Sequence, residues 1–476
     1  MKIPERPQSR SCVDAIVALA VRASLLSVGL FGCGSSSPGG SDGAAGHAVG
    51  GAGGLTTGDG GMAGATAGAG GGIGGGVAGS NGGVGGAAGG TAGAAGAGAN
   101  GQPSTVYPAP HPPLPQVVTL AGPVLATPHF YPVTFASDDP ALLGSLEDFL
   151  QRVGATAYFS DNTSEYSVGP ATSEAPIVLT EAAASTTSDA QIQAWLAGKL
   201  NGDDPLFPSV DAETLFVLIY PATTMISSSP GATSCDAFAS YHSDLTLDAA
   251  HGNAEVSYVV LPRCANYNGL TGTAAATAAL STALLNAVTD PEPMGNPAWA
   301  GTDQNHVAWE TAVGGGEICS LCAQELGAFG ELSEIPYTAG RCWSNLAAAA
   351  SHDPCVPAPS GVSYFNAMPV LPDSLTFEGV ATPAVKIPAG TSRTIAVDLF
   401  SDAATTGPIS VAALDDAAAM KKPPVLTLAL DSATGLNGQH LNLTITVPST
   451  AIQPAIFYLS STVGGVTHTA VGLAGN

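Results

Sequence analysis

Residues 34–101 are almost entirely glycine, alanine, serine and threonine, and this stretch decides where a fold can form. Its only charges are Asp42 and Asp59, and its only large apolar side chains are Val49, Leu55, Met62, Ile73, Val77 and Val84. Such a segment cannot bury enough apolar surface to offset the entropy of ordering it, so it reads as a disordered spacer. It lacks the strict three-residue period of a collagen-like repeat. A Gly-rich coil of this length spans roughly 45 Å. Pro103, Pro108, Pro110, Pro112, Pro113 and Pro115 then stiffen the approach to whatever folds. Spacer composition thus extends over residues 33–104, and folding is confined to residues 105–476, long enough for two domains with cores of their own.

Upstream of the spacer, Arg6, Arg10 and Arg22 precede an apolar run at residues 23–32, and Cys33 follows. A basic start, a short apolar run and small residues at its end read as an export signal over residues 1–32, too short to span a bilayer. Leu30-Phe31-Gly32-Cys33 resembles a bacterial lipobox, in which the cysteine is diacylated and becomes the new N-terminus. The resemblance implies a membrane partner through lipidated Cys33, and Gly34 in place of Asp after it implies sorting to the outer membrane. Several acyl chains anchor stably where one is marginal.

The chain carries 12 Lys and Arg against 37 Asp and Glu. Four of the bases and two of the acids precede Cys33, which leaves 8 basic against 35 acidic residues beyond it. That surface repels phosphate backbones, so nucleic acid is excluded as a partner. So many carboxylates leave cation binding open, calcium included.

Leu142, Leu143, Leu146, Phe149, Leu150 and Val153 recur at three and four, which predicts a helix after Asp139-Pro140 that stops at Gly154. Ser188 and Gln191 make a capping box before a second helix carrying Ile192, Trp195, Leu196 and Leu200. Leu280, Leu284 and Val288 mark a third, closed by Asp290-Pro291. Strands are expected at residues 117–120, 133–135, 155–159, 177–180, 214–220 and 256–261. The apolar run at 214–220 suits a strand covered on both faces. Alternating strands and helices predict a mixed α/β layered domain over residues 105–366. Beyond it, over residues 367–476, short alternating runs at 393–400, 409–414, 425–430, 441–447, 455–462 and 466–473, the last two flanking Gly464-Gly465, predict six or seven strands of an immunoglobulin-like β-sandwich.

The densest run of polar, aromatic and cysteine residues lies at 280–322, where Thr289-Asp290-Pro291, Ala298-Trp299-Ala300-Gly301, Gly315-Gly316-Glu317-Ile318 and Leu321-Cys322 stand in order. With Ser240-Tyr241-His242, Leu261-Pro262-Arg263-Cys264, Arg341, Trp343-Ser344-Asn345 and Asp353-Pro354-Cys355-Val356-Pro357, it resembles secreted bacterial proteins related to the plant exordium or phosphate-induced protein family. The similarity covers residues 117–369. In that family the helix before the Thr-Asp-Pro run carries a His-Glu pair and a second Glu, so the resemblance implies a zincin-like domain. Here those positions are Thr282, Ala283 and Asn286. Threonine and asparagine are poor zinc ligands and alanine cannot move a proton, so the implied site is chemically degenerate. His242, His306, Glu310, Glu317 and Asp290 are the candidates for a rebuilt metal site, for zinc or calcium. Glu317 beside three glycines is also a candidate clamp that accepts backbone hydrogen bonds.

Six cysteines follow Cys33, an even number that in an exported chain predicts disulfides. The strand between Cys235 and Cys264 makes them a natural pair. The family keeps the equivalents of Cys322 and Cys355 but not of Cys319 and Cys342, so the resemblance implies Cys322–Cys355 with Cys319–Cys342 as an added staple. The rival, a redox Cys-x-x-Cys at 319–322, lacks the usual flanking residues, and a zinc ribbon would need a second such motif. Beyond the spacer there is no Gly-x-Ser-x-Gly elbow, Walker loop or intact His-Glu-x-x-His. The expectation is a non-catalytic, lipid-anchored protein that binds an envelope or extracellular ligand, with no cofactor; a metal-dependent hydrolase, a peptidase with non-standard ligands, is the alternative.

Overall fold

The computed structural model describes residues 99–476 apart from Ser137, Pro230, Gly231, Gln324, Leu326 and Ala451. The expected export signal, Cys33 and the rest of the glycine-rich stretch up to residue 98 lie outside the described residues.

Six strands form the first sheet: β1 (His129–Ala136), β2 (Thr172–Ser173), β3 (Ile177–Ala182), β4 (Thr214–Ile219), β5 (Tyr241–Thr246) and β6 (Glu255–Leu261). β2 and β3 both pair with β1, and the order runs on through β4 and β6 to β5 at the edge. Every pairing is parallel except that of β5, which runs antiparallel to β6. All of β4 is buried, because its alternate residues face two cores. Leu215, Val217 and Ile219 pack in one with helices α1 (Pro140–Val153), α2 (Ala157–Thr163) and α4 (Gly272–Thr289). Phe216 and Leu218 pack in the other with Ile192, Leu196 and Leu200 of α3 (Asp189–Asn201).

The helix starts follow local chemistry. Asp139 accepts from the Ala141 amide with Pro140 in the first turn, and Ser188 and Gln191 cap α3 reciprocally. Residues 155–159, expected as a strand, instead open α2, because Thr156 Oγ1 accepts from the Phe159 amide at 3.2 Å and starts a helix that buries Tyr158 and Phe159. Local capping here overrides the strand preference of the aromatic pair.

The C-terminal part is two packed sheets. β7 (Phe365–Pro369), β10 (Ser392–Ser401), β14 (His440–Thr446) and β12 (Thr427–Leu430) make one. β8 (Asp373–Phe377), β9 (Val380–Lys386), β16 (Val466–Gly475), β15 (Ala455–Val463), β11 (Ile409–Asp415) and β13 (Thr434–Gly435) make the other. Ten strands stand where six or seven are expected: β7 is buried at every residue and shows no alternation, Pro383 sits within β9, β8 has five residues and β13 only two. Gly464 and Gly465 both adopt positive φ, 59° and 87°, in the β15–β16 hairpin. Residues 99–104, spacer by composition, are hydrogen-bonded to this sandwich: the Asn100 amide donates to the His440 carbonyl at 2.8 Å and the Ser104 amide to that of Asn437 at 2.7 Å.

Three disulfides join Cys235 to Cys264, Cys319 to Cys342 and Cys322 to Cys355. The two cysteines of Cys319-x-x-Cys322 therefore go to different partners and do not form a redox pair. Structural disulfides of this kind belong to an oxidising compartment, the cell envelope or exterior. Among the described residues no helix is long and apolar enough to cross a membrane.

Candidate functional site

Three elements converge at the C-terminal end of α4. That helix stops at Thr289, and Asp290 leaves it in a non-helical conformation before Pro291. The Ser257 hydroxyl donates to the Pro291 carbonyl at 2.8 Å and the Met294 amide donates to Asp244 Oδ1 at 3.1 Å, which pins this turn against β5 and β6. His242 sits on edge strand β5, paired with Val259 of β6. Glu317 arrives from the glycine run: a Cβ on Gly316 would lie 2.4 Å from the Ala300 carbonyl oxygen, so only glycine lets the chain pass that close.

His242 Nε2 lies 3.0 Å from the Asp290 backbone carbonyl and 3.8 Å from Glu317 Oε1. A carbonyl can only accept, so Nε2 carries the proton and the ring donates. One ligand atom from each of His242, Asp290 and Glu317 lies within 4.8 Å of the other two. Asp290 Oδ1 accepts from the Ala298 amide at 2.6 Å, while its buried Oδ2 has no hydrogen-bond partner. Burial pushes Asp290 up to about 6, against the pull of His242 and the Ala298 amide. Burial likewise pushes Glu317 up to about 7, opposed by the Asn286 amide, and holds His242 below its usual value, opposed by Asp290 and Asp244.

Asn286 holds Glu317 in place. Its Nδ2 donates to Glu317 Oε2, and its Oδ1 accepts from the Cys319 amide at 3.0 Å. Glu317 is therefore fixed by a side-chain amide, not by the backbone donors that its glycine neighbours suggest. Nothing in the sequence assigns that role to Asn286; the only signal is a single amide on a helix otherwise made of apolar, glycine and hydroxyl residues. Thr282 Oγ1 donates back to the Ala279 carbonyl at 3.0 Å, and Ala283 is buried. With a hydroxyl, a methyl and a fully engaged amide, positions 282, 283 and 286 do not fit a zinc ion. His306 and Glu310 stay apart from the cluster: His306 pairs with Asp303 at 2.8 Å and with the Pro113 carbonyl, and Glu310 accepts from the Thr302 amide at 2.8 Å.

Thr282, one turn before Asn286, lines a cleft of about 890 Å³ with Phe238, Ser240, Tyr267, Ser320 and Phe329. No protein-family model matches the chain, and no curated protein does. Among solved structures, domains 4 and 5 of the S-layer protein SbsC align at 15% identity over 22% of this chain and 52% of that one, with a TM-score of 0.15. A longer SbsC structure, domains 1–6, aligns at 14% identity over 22% of this chain and 13% of its own length, again at 0.15. The titin M3 domain aligns at 8% identity over 24% of this chain and 94% of its own, also at 0.15. At that score neither protein speaks for this chain, and the architecture above rests on its own strand pairing.

Chemically, the two places differ. The His242 cluster can hold protons or a cation. The cleft offers rings, hydroxyls, the Asn268 amide and the Glu325 carboxylate, and among the described residues its lining includes neither histidine nor cysteine.

Proposed function

We propose that the chain is a lipid-anchored envelope protein whose α/β domain keeps a zincin-like, exordium-like scaffold for binding and not for catalysis, carried with an immunoglobulin-like sandwich at the end of a glycine-rich tether. The observation that carries this reading is the helix face at Thr282, Ala283 and Asn286: the hydroxyl is bonded back to its own helix, the methyl is inert and the amide is engaged at both ends. A cleft lined by Phe238, Tyr267 and Phe329 with serine and threonine hydroxyls, and with Glu325 as its one charged side chain among the described residues, favours a hydrogen-bonding ligand, a glycan or a peptide backbone, over an anion. The disulfides support export, and the lipobox-like Leu30-Phe31-Gly32-Cys33 supports the anchor.

One observation favours a metal-dependent hydrolase instead, namely the convergence of His242, Asp290 and Glu317. Against it stands the lack of a free base on the helix beside them. Incubation with casein and fluorogenic peptides, with zinc added, separates the two. The expected result is no turnover above that of a His242→Ala, Glu317→Gln double variant; turnover by the wild type that this variant loses would sink the binding reading. For the anchor, labelled palmitate is expected in the wild type and absent from Cys33→Ser.

A further inference from the structure

We propose that His242, Asp290 and Glu317 form a binding site for one divalent transition-metal cation, zinc by preference, beside the degenerate helix positions 282, 283 and 286, of which Asn286 supports it through its bond to Glu317. The inference rests on neither functional reading above.

The donors come from three elements, and each is fixed by contacts of its own. Edge-strand pairing with β6 places His242, the Ala298 amide at 2.6 Å orients Asp290, and Asn286 orients Glu317. Asn286 is in turn held by the amide of Cys319, itself tied to Cys342. Such supporting bonds fix the two carboxylates before an ion arrives, and His242 alone must change partner to receive one.

A second observation, independent of the clustering, points to a ligand. Asp290 is fully buried, yet its Oδ2 has no hydrogen-bond partner. A buried carboxylate oxygen left without a donor is costly, and a cation in the cluster would remove that cost. Among the described residues neither Asp290 nor Glu317 is paired with a lysine or arginine; the one ion pair at either is His242 with Glu317. The cluster therefore holds two acids and one neutral imidazole with no cation to match them.

The donor set selects the metal. One imidazole nitrogen with two carboxylate oxygens gives three protein ligands and leaves a fourth, tetrahedral position for water, which suits zinc. Calcium takes six to eight oxygens and magnesium a near-octahedral shell, and imidazole serves neither well. To coordinate through Nε2, His242 gives up its bond to the Asp290 carbonyl and carries its proton on Nδ1 instead.

The test uses the exported chain stripped with chelator and titrated with zinc by calorimetry, with metal content read after desalting. Cobalt substitution reports tetrahedral geometry by its visible absorption. One zinc per chain is expected, with affinity falling by at least about 100-fold in His242→Ala and in Glu317→Gln, the upper end of what loss of a mere supporting partner costs. Glu317→Gln keeps the side chain's shape, and circular dichroism verifies that each variant is folded. Wild-type protein that retains no stoichiometric zinc overturns the proposal, as does zinc whose affinity and cobalt spectrum are unchanged in both variants. Because peptide turnover is not read, failure here leaves the binding reading standing.

Discussion

At the scale of single residues, His111 and Asn437 show how the chain entering the fold is held. Asn437 Nδ2 donates to the carbonyls of Ser104 and Val106 at 3.2 and 2.9 Å, and its Oδ1 accepts from the amides of Ala109 and Ser401 at 3.2 and 2.9 Å. A few residues on, the His111 ring stacks on Phe400 with centroids 3.5 Å apart. Its Nδ1 lies 2.6 Å from the Pro112 carbonyl, which can only accept, so the neutral ring donates there and Nε2 accepts from Ser351 Oγ at 3.0 Å. Burial holds His111 below its usual 6.5, opposed by that carbonyl and by Asp398. The unfolded chain therefore takes up the proton first as pH falls. The stability contributed by the neutral ring is complete above 6.5 and is lost as pH drops through the lower folded value. His111→Phe keeps the stacking and cannot charge. Its melting temperature is expected to fall less than that of the wild type between pH 7 and pH 5, and parallel pH profiles would count against the argument.

At the scale of elements, the strand at Thr338–Gly340 lies against α4 so closely that a side chain has no room. A Cβ on Gly340 would sit 2.4 Å from Thr282 Cγ2, while its amide donates to Ser281 Oγ at 2.9 Å and its carbonyl accepts from the Tyr158 hydroxyl at 2.7 Å. Gly340→Ala is expected to cost about 1–3 kcal/mol through overpacking. Thr282→Ala removes the obstructing methyl, so the double variant is expected to recover most of that loss in urea titration; additive losses would show that the clash is not the cause. The same contact marks what the sequence could and could not convey. The apolar faces of α1, α3 and α4 and the buried runs of β4 and β6 were legible because burial writes a period into the residues. The cleft was not, because it depends on which strand passes over which helix turn. His242, Asp290 and Glu317 could be named as possible ligands, but choosing them over His306 and Glu310 required the register of an edge strand and the path of a glycine run. Asn286 read only as a missing acid, since its two hydrogen bonds join residues 31 and 33 positions away.

At the scale of the molecule, the α/β layers and the sandwich are not separately filled. One continuous core contains Phe159, Leu284 and Trp309 from the first and Phe365, Val397 and Leu473 from the second. Polar contacts cross the same boundary: the Thr469 amide and His468 Nδ1 both meet the Glu325 carboxylate at 3.4 Å. Modules joined only by a linker would melt apart, whereas parts that share a core lose their packing together. Calorimetry is therefore expected to show a single unfolding transition. The disulfides sharpen the test, because all six cysteines precede the first strand of the sandwich. Their sequence separations of 29, 23 and 33 correspond to about 3–4 kcal/mol of loop closure each, so reduction strongly destabilises the α/β part. If the core is common, reduction removes the sandwich's transition as well, although no cysteine lies within it. A reduced protein that keeps a cooperative transition in the β-sheet circular dichroism signal would show that the sandwich folds alone and that the shared packing is incidental.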